Sequence, residues 1–289
     1  MIIQIFLPMY SISQLQEISN QVRRDILRMV HAVNSGHPGG SLGCADFLTC
    51  LFFEIMKHDP QKFSMDGIGE DMFFLSNGHI SPAFYSVLAR NGYFDIKELA
   101  TFRKLGTRLQ GHPTPAEHIP GVRIASGSLG QGLSASIGAA LAKKYNKDNS
   151  LVYCLMGDGE LEEGQVWEAA MFASHKKVDN LIAVIDYNGK QIDGPTDEVM
   201  SLGDLKAKWL SFGWNVFEMN GNDISDILNN INIVKSNTGK EKPLIILMHT
   251  EMGYGVDFMM GTHKWHGVAP NDEQLAKALA QLNETLGDY

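Results

Sequence analysis

The stretch Leu151-Val-Tyr-Cys-Leu-Met-Gly-Asp-Gly-Glu-Leu-Glu-Glu-Gly164 joins a continuous apolar run to a glycine-rich turn that carries carboxylates. A short apolar run of this kind is typical of a strand buried on both faces of a sheet. A second apolar run at residues 181–185 leads to Asn188, and 28 residues separate Gly159 from Asn188. The pattern predicts two parallel strands joined by a crossover helix, with their carboxyl ends side by side.

The same alternation of strands and helices extends over the chain from about residue 70. Apolar runs predict strands at residues 71–75, 151–156, 181–185, 214–219 and 244–248. Helical spacing predicts helices at residues 13–33 (with Ser13 as a cap), 46–58, 82–91, 133–146, 165–175, 202–212 and 224–234, and a helical tail at about 271–286. We therefore predict an α/β fold with a mostly parallel sheet and helices on both faces.

Three segments without helical or strand periodicity stand out. Residues 34–43 contain four glycines and one proline, which predicts an interruption between helices. Residues 106–124 and 253–270 are long and rich in glycine and histidine, a composition that favours functional loops. No Ser/Gly/Pro-rich linker divides the chain, so residues 1–289 are predicted to form a single domain.

Composition narrows the class of function. Hydrophobic residues make up 44% of the chain, the net charge is -9, and the 24 basic residues are scattered, which argues against a nucleic-acid partner. No stretch reaches the roughly 20 apolar residues that cross a bilayer, and residues 1–8 lack the features of a signal peptide. We therefore expect no membrane partner and a cytoplasmic location. The three cysteines, Cys44, Cys50 and Cys154, are expected to be buried, reduced thiols.

The two predicted strand ends form a candidate site for a metal and a diphosphate. Asp158 offers an anionic oxygen and Asn188 a neutral carbonyl oxygen, and Gly157 and Gly159 let the backbone approach a ligand closely. Mg²⁺ prefers such oxygen ligands and is usually held by few carboxylates together with phosphate oxygens. A lone Gly-Asp-Gly is often only a turn, but its spacing to Asn188 resembles the thiamine-diphosphate signature.

Further motifs narrow the resemblance to one family. In chain order they are Gly36-His-Pro-Gly-Gly40, Leu75-Ser-Asn-Gly-His79, Gly111-His-Pro113, Gly127-Ser-Leu-Gly-Gln-Gly132, Gly157-Asp-Gly159 with Glu163-Gly164, and Gly261-Thr-His-Lys-Trp-His-Gly267. Their order and spacing from about residue 13 to residue 270 resemble the N-terminal, diphosphate-binding (PP) domain of transketolase. The resemblance implies a thiamine-diphosphate-binding fold.

The resemblance also implies a set of metal and cofactor contacts. Asp158, Asn188 and the backbone carbonyl of Lys190 would hold Mg²⁺, for which Ca²⁺ can substitute. The cofactor would be lined by Leu129 and Gly130, and it would lie against Gly157 and Gly159. Glu163 would join the charged network that couples paired sites.

Four histidines are implied as catalytic residues. By the resemblance, His37, His79 and His263 would contact the diphosphate, the thiazolium side or the ketose hydroxyls, with His79 and His263 also binding cofactor, and His112 would bind the C1 hydroxyl of the ketol unit. Each lies in a loop that contains glycine or proline. Imidazoles with a pKa near neutrality can donate to sugar hydroxyls and move protons.

The implied activity is the transfer of a two-carbon ketol unit from a ketose, or ketose phosphate, to an aldose. The cofactor's pyrimidine site, the activating glutamate and most sugar-phosphate contacts of the family lie in a portion that does not match this chain. The resemblance therefore implies a separate C-terminal, pyrimidine-binding partner subunit, in an α2β2 assembly. Two alternatives stay open: a subunit of another thiamine-diphosphate enzyme, either a dehydrogenase E1 or a deoxyxylulose-phosphate synthase relative, and a catalytically silent cofactor-binding module.

Overall fold

A parallel sheet organises the protein in the computed structural model, which describes residues 9–289. Five strands lie in the order β1-β2-β3-β7-β6, and every neighbouring pair is parallel. The strands are β1 Met72–Leu75, β2 Val152–Gly157, β3 Leu181–Tyr187, β6 Asn215–Asn220 and β7 Leu244–His249, with a separate antiparallel pair formed by β4 Lys190–Gln191 and β5 Gly194–Pro195. The prediction about a signal peptide at residues 1–8 lies outside the described residues.

Helices cover both faces of the sheet, as predicted. They are α1 Ile12–Ala32, α2 Pro38–Gly43, α3 Ala45–Cys50, α4 Ser81–Arg90, α5 Gly132–Tyr145, α6 Gly164–His175, α7 Thr196–Val199, α8 Leu205–Ser211, α9 Ile224–Lys235 and α10 Asp272–Leu279. A π-helical turn at Leu51–Ile55 follows α3, and short 3₁₀ turns lie at Pro60–Lys62, Gly78–Ile80, Ile96–Thr101, Pro115–Glu117 and Gly159–Glu162. The α/β fold class is confirmed.

The core has two layers because successive residues of a strand point to opposite faces. In β3, Val184 belongs to the cluster under α1, α3, α4 and α9, whereas Ile185 belongs to the cluster under α5, α6 and α8. Trp209 and Trp214 fill the second cluster and are buried. Burial on both faces explains why the central strands are apolar without interruption.

Helix α1 begins earlier than predicted. Ser11, not Ser13, is the cap: its side chain accepts from the backbone N–H of Gln14, and Gln14 in turn accepts from the N–H of Ser11 at 2.8 Å. This reciprocal capping box satisfies two N–H groups that lack helical partners. Gln14 follows Ser11 by three residues and Gln16 follows Ser13 by three, so both serines fit the capping-box pattern and the sequence alone does not distinguish them.

The predicted interruption is confirmed at residues 34–37, where the chain is not helical, but it is wrong for residues 38–43, which form α2. Pro38 stands in the first turn, where its missing N–H costs no hydrogen bond. A Cβ added to Gly39 would lie 2.6 Å from Met252 Cγ and 2.8 Å from the carbonyl of Trp265. Glycine is therefore required for close packing against the loop at residues 251–266, which outweighs its low helix propensity. The helix predicted at 46–58 is shorter than expected: α3 ends at Cys50 and is followed by the π-helical turn Leu51–Ile55.

The predicted helical tail is also shorter, because α10 ends at Leu279. The guanidinium of Arg24 in α1 donates to the carbonyls of Leu279 (3.1 Å) and Leu282 (2.8 Å). The N–H groups of Thr285 and Leu286 donate to the side-chain oxygen of Gln21. Side chains of α1 thus satisfy backbone groups that a continuing helix would have paired.

Two further predictions can be compared with the structure. All three cysteines are free and buried, as predicted, and burial raises the pKa of each thiol. Within residues 9–289, no helix has both the length and the apolar character that a bilayer crossing requires. The assignment of residues 1–289 to a single domain stays a prediction.

Candidate active site

The candidate site lies at the carboxyl ends of β2 and β3, where parallel sheets commonly bind ligands. These strands are neighbours, and Gly157 at the end of β2 pairs with Asp186 at the end of β3. Asp158 follows directly and is only 2% exposed. Its two carboxylate oxygens accept from the backbone N–H groups of Gly159 (2.8 Å) and Gly189 (2.6 Å). The glycines of the motif therefore orient the carboxylate as well as permitting close approach.

Asn188 and Lys190 line the same cavity as Asp158; the spacing predicted this position for Asn188, and the family resemblance implied it for Lys190. The Asn188 amide nitrogen donates to Asp186 at 2.9 Å, and its Oδ1 accepts from the Lys190 N–H at 2.9 Å. Asp186 is buried and also accepts from the hydroxyl of Thr250. Asp186 was not among the predicted site residues, and it fixes the orientation of the Asn188 side chain.

This strand edge has the electrostatics of a cation site. Burial, and then the neighbouring Asp186, raise the pKa of Asp158 to about 7. Burial also raises the pKa of Asp186. Within residues 9–289, no three His, Cys, Asp or Glu side chains are grouped as metal ligands. The residues fit a hard cation that takes one carboxylate, neutral oxygens of Asn188 and Lys190, and oxygens of its ligand.

A cluster of histidines forms the opposite side of the site. The ring centroids of His37 and His79 are 5.1 Å apart, and the His79 and His266 rings stack at 5.1 Å with an interplanar angle of 29°. His37 lies 5.6 Å from His266 and 6.4 Å from His112. The structure thus brings together three of the four predicted histidines, His37, His79 and His112, and adds His266.

The clustered histidines are held in the neutral form. Burial, followed by the charges of His266, Arg103 and His112, lowers the pKa of His37 to about 4. Burial also lowers the pKa of His79 and of His266. Neutral imidazole has one donor and one acceptor nitrogen, so these rings can donate to a ligand without carrying charge.

A cavity of about 240 Å³ connects the two sides, and Leu129 and Gly127 line it between them. Three side chains in its wall have buried polar atoms without a hydrogen-bond partner among residues 9–289: His37 Nδ1, His266 Nδ1, and both Nδ2 and Oδ1 of Asn77. Buried polar groups are nearly always paired in folded proteins. The cavity therefore has the lining of a site completed by a polar ligand.

Comparison with known proteins decides the family. The family model described as "Transketolase, thiamine diphosphate binding domain" matches residues 14–286. The chain belongs to this family.

Its relatives include short and long proteins. One subunit of the apulose-4-phosphate transketolase of Phocaeicola vulgatus is 39% identical over 268 residues, which cover 93% of each chain. The "6-deoxy-6-sulfo-D-fructose transketolase subunit SqwG" of a Clostridium species is 40% identical, over 93% of this chain and 96% of that protein. Among solved structures, the transketolase of Campylobacter jejuni superposes with a TM-score of 0.86 at 34% identity, over 94% of this chain but 43% of that one. The chain thus matches the two named subunits nearly end to end, and spans less than half of that single-chain transketolase.

Within this transketolase domain, the histidine loop at 261–267 differs from the sequence-based expectation. His266 lines the cavity, whereas His263 lies on the same loop outside the lining, and its carbonyl accepts from the His266 N–H at 2.8 Å. The sequence-based prediction assigned no role to His266. The two histidines are three residues apart, and nothing in the spacing indicates which of them turns inward.

The acidic residues after Asp158 also differ from expectation. Glu163 is exposed at the start of α6, away from the cavity lining, whereas Glu160 is 2% exposed and lines the cavity. Its Oε1 accepts from the hydroxyl of Ser76 and from the Gly130 N–H at 2.8 Å, and its Oε2 from the Gly157 N–H at 3.0 Å. Gly130, predicted to line the cofactor, is therefore held against β2 by a glutamate that sequence reasoning did not single out.

Proposed function

We propose that this chain is the diphosphate-binding subunit of a two-subunit transketolase that transfers a two-carbon ketol unit from a ketose to an aldose. The observation that carries the proposal is the cavity, which has a buried acidic edge at Asp158 on one side and neutral histidines with unpaired nitrogens on the other. A carboxylate with a raised pKa fits a cation, and unpaired imidazole nitrogens fit a polar ligand.

Asp158, the Asn188 oxygen and the backbone carbonyl of Lys190 would hold Mg²⁺, or Ca²⁺ in its place. Gly157 and Gly159 would let the backbone approach the diphosphate, and Gly130 and Leu129 would line the cofactor. Bound thiamine diphosphate supplies an electron sink for breaking a carbon–carbon bond next to a carbonyl.

The histidines of the site differ in position: three are packed together in the cavity lining, His112 is exposed, and His263 lies outside the lining. His37, His79 and His266 are packed against one another, so they would donate to the cofactor or to the bound ketol unit in the neutral form. His112 is exposed at the cavity mouth, where an arriving sugar would meet it. We propose that His112, together with His263 on the loop that also carries His266, holds and moves the hydroxyl protons of the substrate.

A partner subunit would complete the site. The cavity of about 240 Å³ is smaller than the roughly 300–1,000 Å³ of complete ligand pockets. The one glutamate in its lining, Glu160, is already engaged by Ser76, Gly130 and Gly157. We propose that a pyrimidine-binding subunit supplies the activating glutamate and most phosphate contacts in an α2β2 enzyme, with Glu163 near the junction between paired sites.

The substrates proposed are sugars and sugar phosphates. Two relatives are named for apulose-4-phosphate and for 6-deoxy-6-sulfo-D-fructose, so branched and sulfonated sugars belong among the candidates. A cytoplasmic location fits these metabolites and is part of the proposal.

The test is reconstitution with a C-terminal-type transketolase subunit, Mg²⁺ and thiamine diphosphate. Ketol transfer from phosphorylated, sulfonated and branched ketoses should appear only when both proteins are present. Full activity of this chain alone would contradict the two-subunit proposal. Cofactor binding without transfer from any ketose, in a correctly assembled complex, would instead favour the catalytically silent module.

A further inference from the structure

Asn77 lies two residues after the end of β1, in the wall of the cavity, and the residue is 1% exposed. Neither its Nδ2 nor its Oδ1 has a hydrogen-bond partner among residues 9–289. Asn77 precedes the 3₁₀ turn Gly78–Ile80, a position from which asparagine often caps a helix, yet its side chain makes no capping bond. A buried polar group without a hydrogen-bond partner destabilises the fold that buries it. The fold itself therefore gains nothing from this amide.

Two other polar side chains are bonded within the chain. The adjacent Ser76 hydroxyl donates to Glu160 and accepts from the Gly132 N–H at 2.9 Å. Asn180, a half-buried asparagine before β3 at the amino end of the sheet, donates from its amide nitrogen to the carbonyl of Ala140 at 2.9 Å, although its Oδ1 has no partner among residues 9–289. Asn77 differs from both because it lines the cavity and neither polar atom of its amide is bonded within residues 9–289.

Asn77 also lies near the acidic edge of the cavity at Asp158. A Cβ placed on Gly157 would be 3.9 Å from the Asn77 Cβ, so the asparagine packs beside the residue that precedes Asp158. A ligand that occupies this edge presents acceptor oxygens, because those atoms also complete the coordination of a cation. The amide Nδ2 is a donor suited to such an oxygen, and Oδ1 can accept from a bound water.

We propose that Asn77 is a cofactor-binding residue, whose amide N–H donates to an acceptor oxygen of thiamine diphosphate. The inference rests on the proposed function, because it names the cofactor. It assigns to Asn77 a role separate from the metal ligands and from the histidines. A buried amide that is unpaired without ligand and paired with ligand raises affinity at the expense of the stability of the free protein.

The experiment uses Asn77→Ala and Asn77→Asp, each assembled with the partner protein and titrated with thiamine diphosphate at fixed Mg²⁺. We expect the Kd for the cofactor to rise about 10-fold in Asn77→Ala, the size of one lost hydrogen bond. Asn77→Asp keeps the shape but replaces the donor with a carboxylate, so its Kd should rise at least as much. At saturating cofactor, the KM for the ketose should change less than about 2-fold.

The midpoint of thermal unfolding of the full chain, measured without cofactor, distinguishes a binding role for Asn77 from a structural one. The midpoint of Asn77→Ala should equal or exceed that of wild type, because the variant removes unpaired buried groups. Asn180→Ala is the matched control: it should lower the midpoint and leave the cofactor Kd unchanged.

An unchanged Kd in both Asn77 variants would overturn the inference, as would a change confined to the KM for the ketose. A lowered midpoint with unchanged affinity would make Asn77 a structural residue. If the wild-type complex binds no thiamine diphosphate, the proposed function fails and the inference falls with it. If wild type binds and the variants bind equally well, only the inference fails.

Discussion

The carboxyl edge of β2 and β3 and the inner face of α1 both bury charged side chains, but only α1 pairs each of them with an opposite charge. At the strand edge, Asp158 lies beside Asp186, and burial raises the pKa of both carboxyls. On α1, Arg23 meets Asp46 at 2.6 Å, with side chains 4% and 6% exposed.

Other charged side chains around α1 are paired with an opposite charge in the same way as Arg23. Asp25 accepts from Arg90 at 2.8 Å, and Arg24 donates to Asp288 at 2.7 Å. The pKa of Asp288 falls to about 2, chiefly because of its hydrogen bond from Arg24. Charges that find partners within the chain hold elements together, whereas those left unpaired at the strand edge are available to a ligand. Substitutions in the two regions should therefore have opposite effects on stability and on binding.

The largest effect is expected at the strand edge. Asp158→Ala removes the one carboxylate proposed to bind the metal, so Mg²⁺-dependent binding of thiamine diphosphate should be lost. The variant relieves the burial of a carboxylate but also removes its hydrogen bonds from Gly159 and Gly189, so the thermal midpoint without cofactor should change little. Calorimetric titration of the assembled enzyme should show no cofactor heat. Wild-type affinity in this variant would refute the metal site.

The histidines should separate turnover from binding. In the reconstituted enzyme, His112→Ala and His263→Ala should each lower kcat by about 10²- to 10⁴-fold, the usual contribution of acid–base catalysis, with a smaller change in cofactor Kd. His37→Ala, His79→Ala and His266→Ala should affect both constants, because these rings are packed together in the cavity. If His112 and His263 lose only cofactor affinity, proton transfer belongs to the partner protein. Full turnover in both variants would make their loops structural.

The paired region should respond in stability alone. Asp46→Ala leaves the Arg23 guanidinium buried without its counter-charge and also removes an acceptor for Ser19. Breaking a buried ion pair from one side costs about 3–5 kcal/mol. Urea unfolding of the full chain should show this loss, while cofactor Kd in the assembled enzyme stays within about 2-fold of wild type. A large loss of cofactor affinity with normal stability would contradict the assignment of this ion pair to stability alone.

The smallest effect is expected in the dependence of stability on pH. Unfolded His37 binds a proton below about pH 6.5, whereas folded His37 does so only near pH 4. Between these values folding excludes a proton, so stability should fall as the pH falls, by up to about 1.4 kcal/mol per pH unit from this group. The free energy of unfolding of His37→Gln, measured without cofactor, should depend less steeply on pH across this interval. Equal slopes would show that His37 titrates normally.

The strand edge was predictable because its signals are local. Two apolar runs, one glycine-rich turn and the spacing to Asn188 place Asp158 and Asn188 together once consecutive parallel strands are adjacent. The register of Gly157 with Asp186 confirms that arrangement. The family resemblance rests on short motifs in order along the chain, and the match over residues 14–286 confirms it.

Features that depend on distant contacts were not predictable in the same way. Helix α2 forms over a glycine-rich segment because Gly39 packs against Met252 and Trp265, more than 200 residues along the chain. The same contact fixes the loop that turns His266 into the cavity and leaves His263 outside the lining. Local propensity alone would have favoured a loop at α2.

The sequence by itself determined the fold class, the family, and the residue types at the strand edge, since periodicity and motif spacing are properties of neighbouring residues. Only the tertiary structure decided which polar groups are paired. Glu160 is engaged by Ser76, Gly130 and Gly157, whereas Asn77 has no partner among residues 9–289. Pairing depends on atoms brought within about 3 Å of one another by loops far apart in the chain, and a linear pattern carries no such distances.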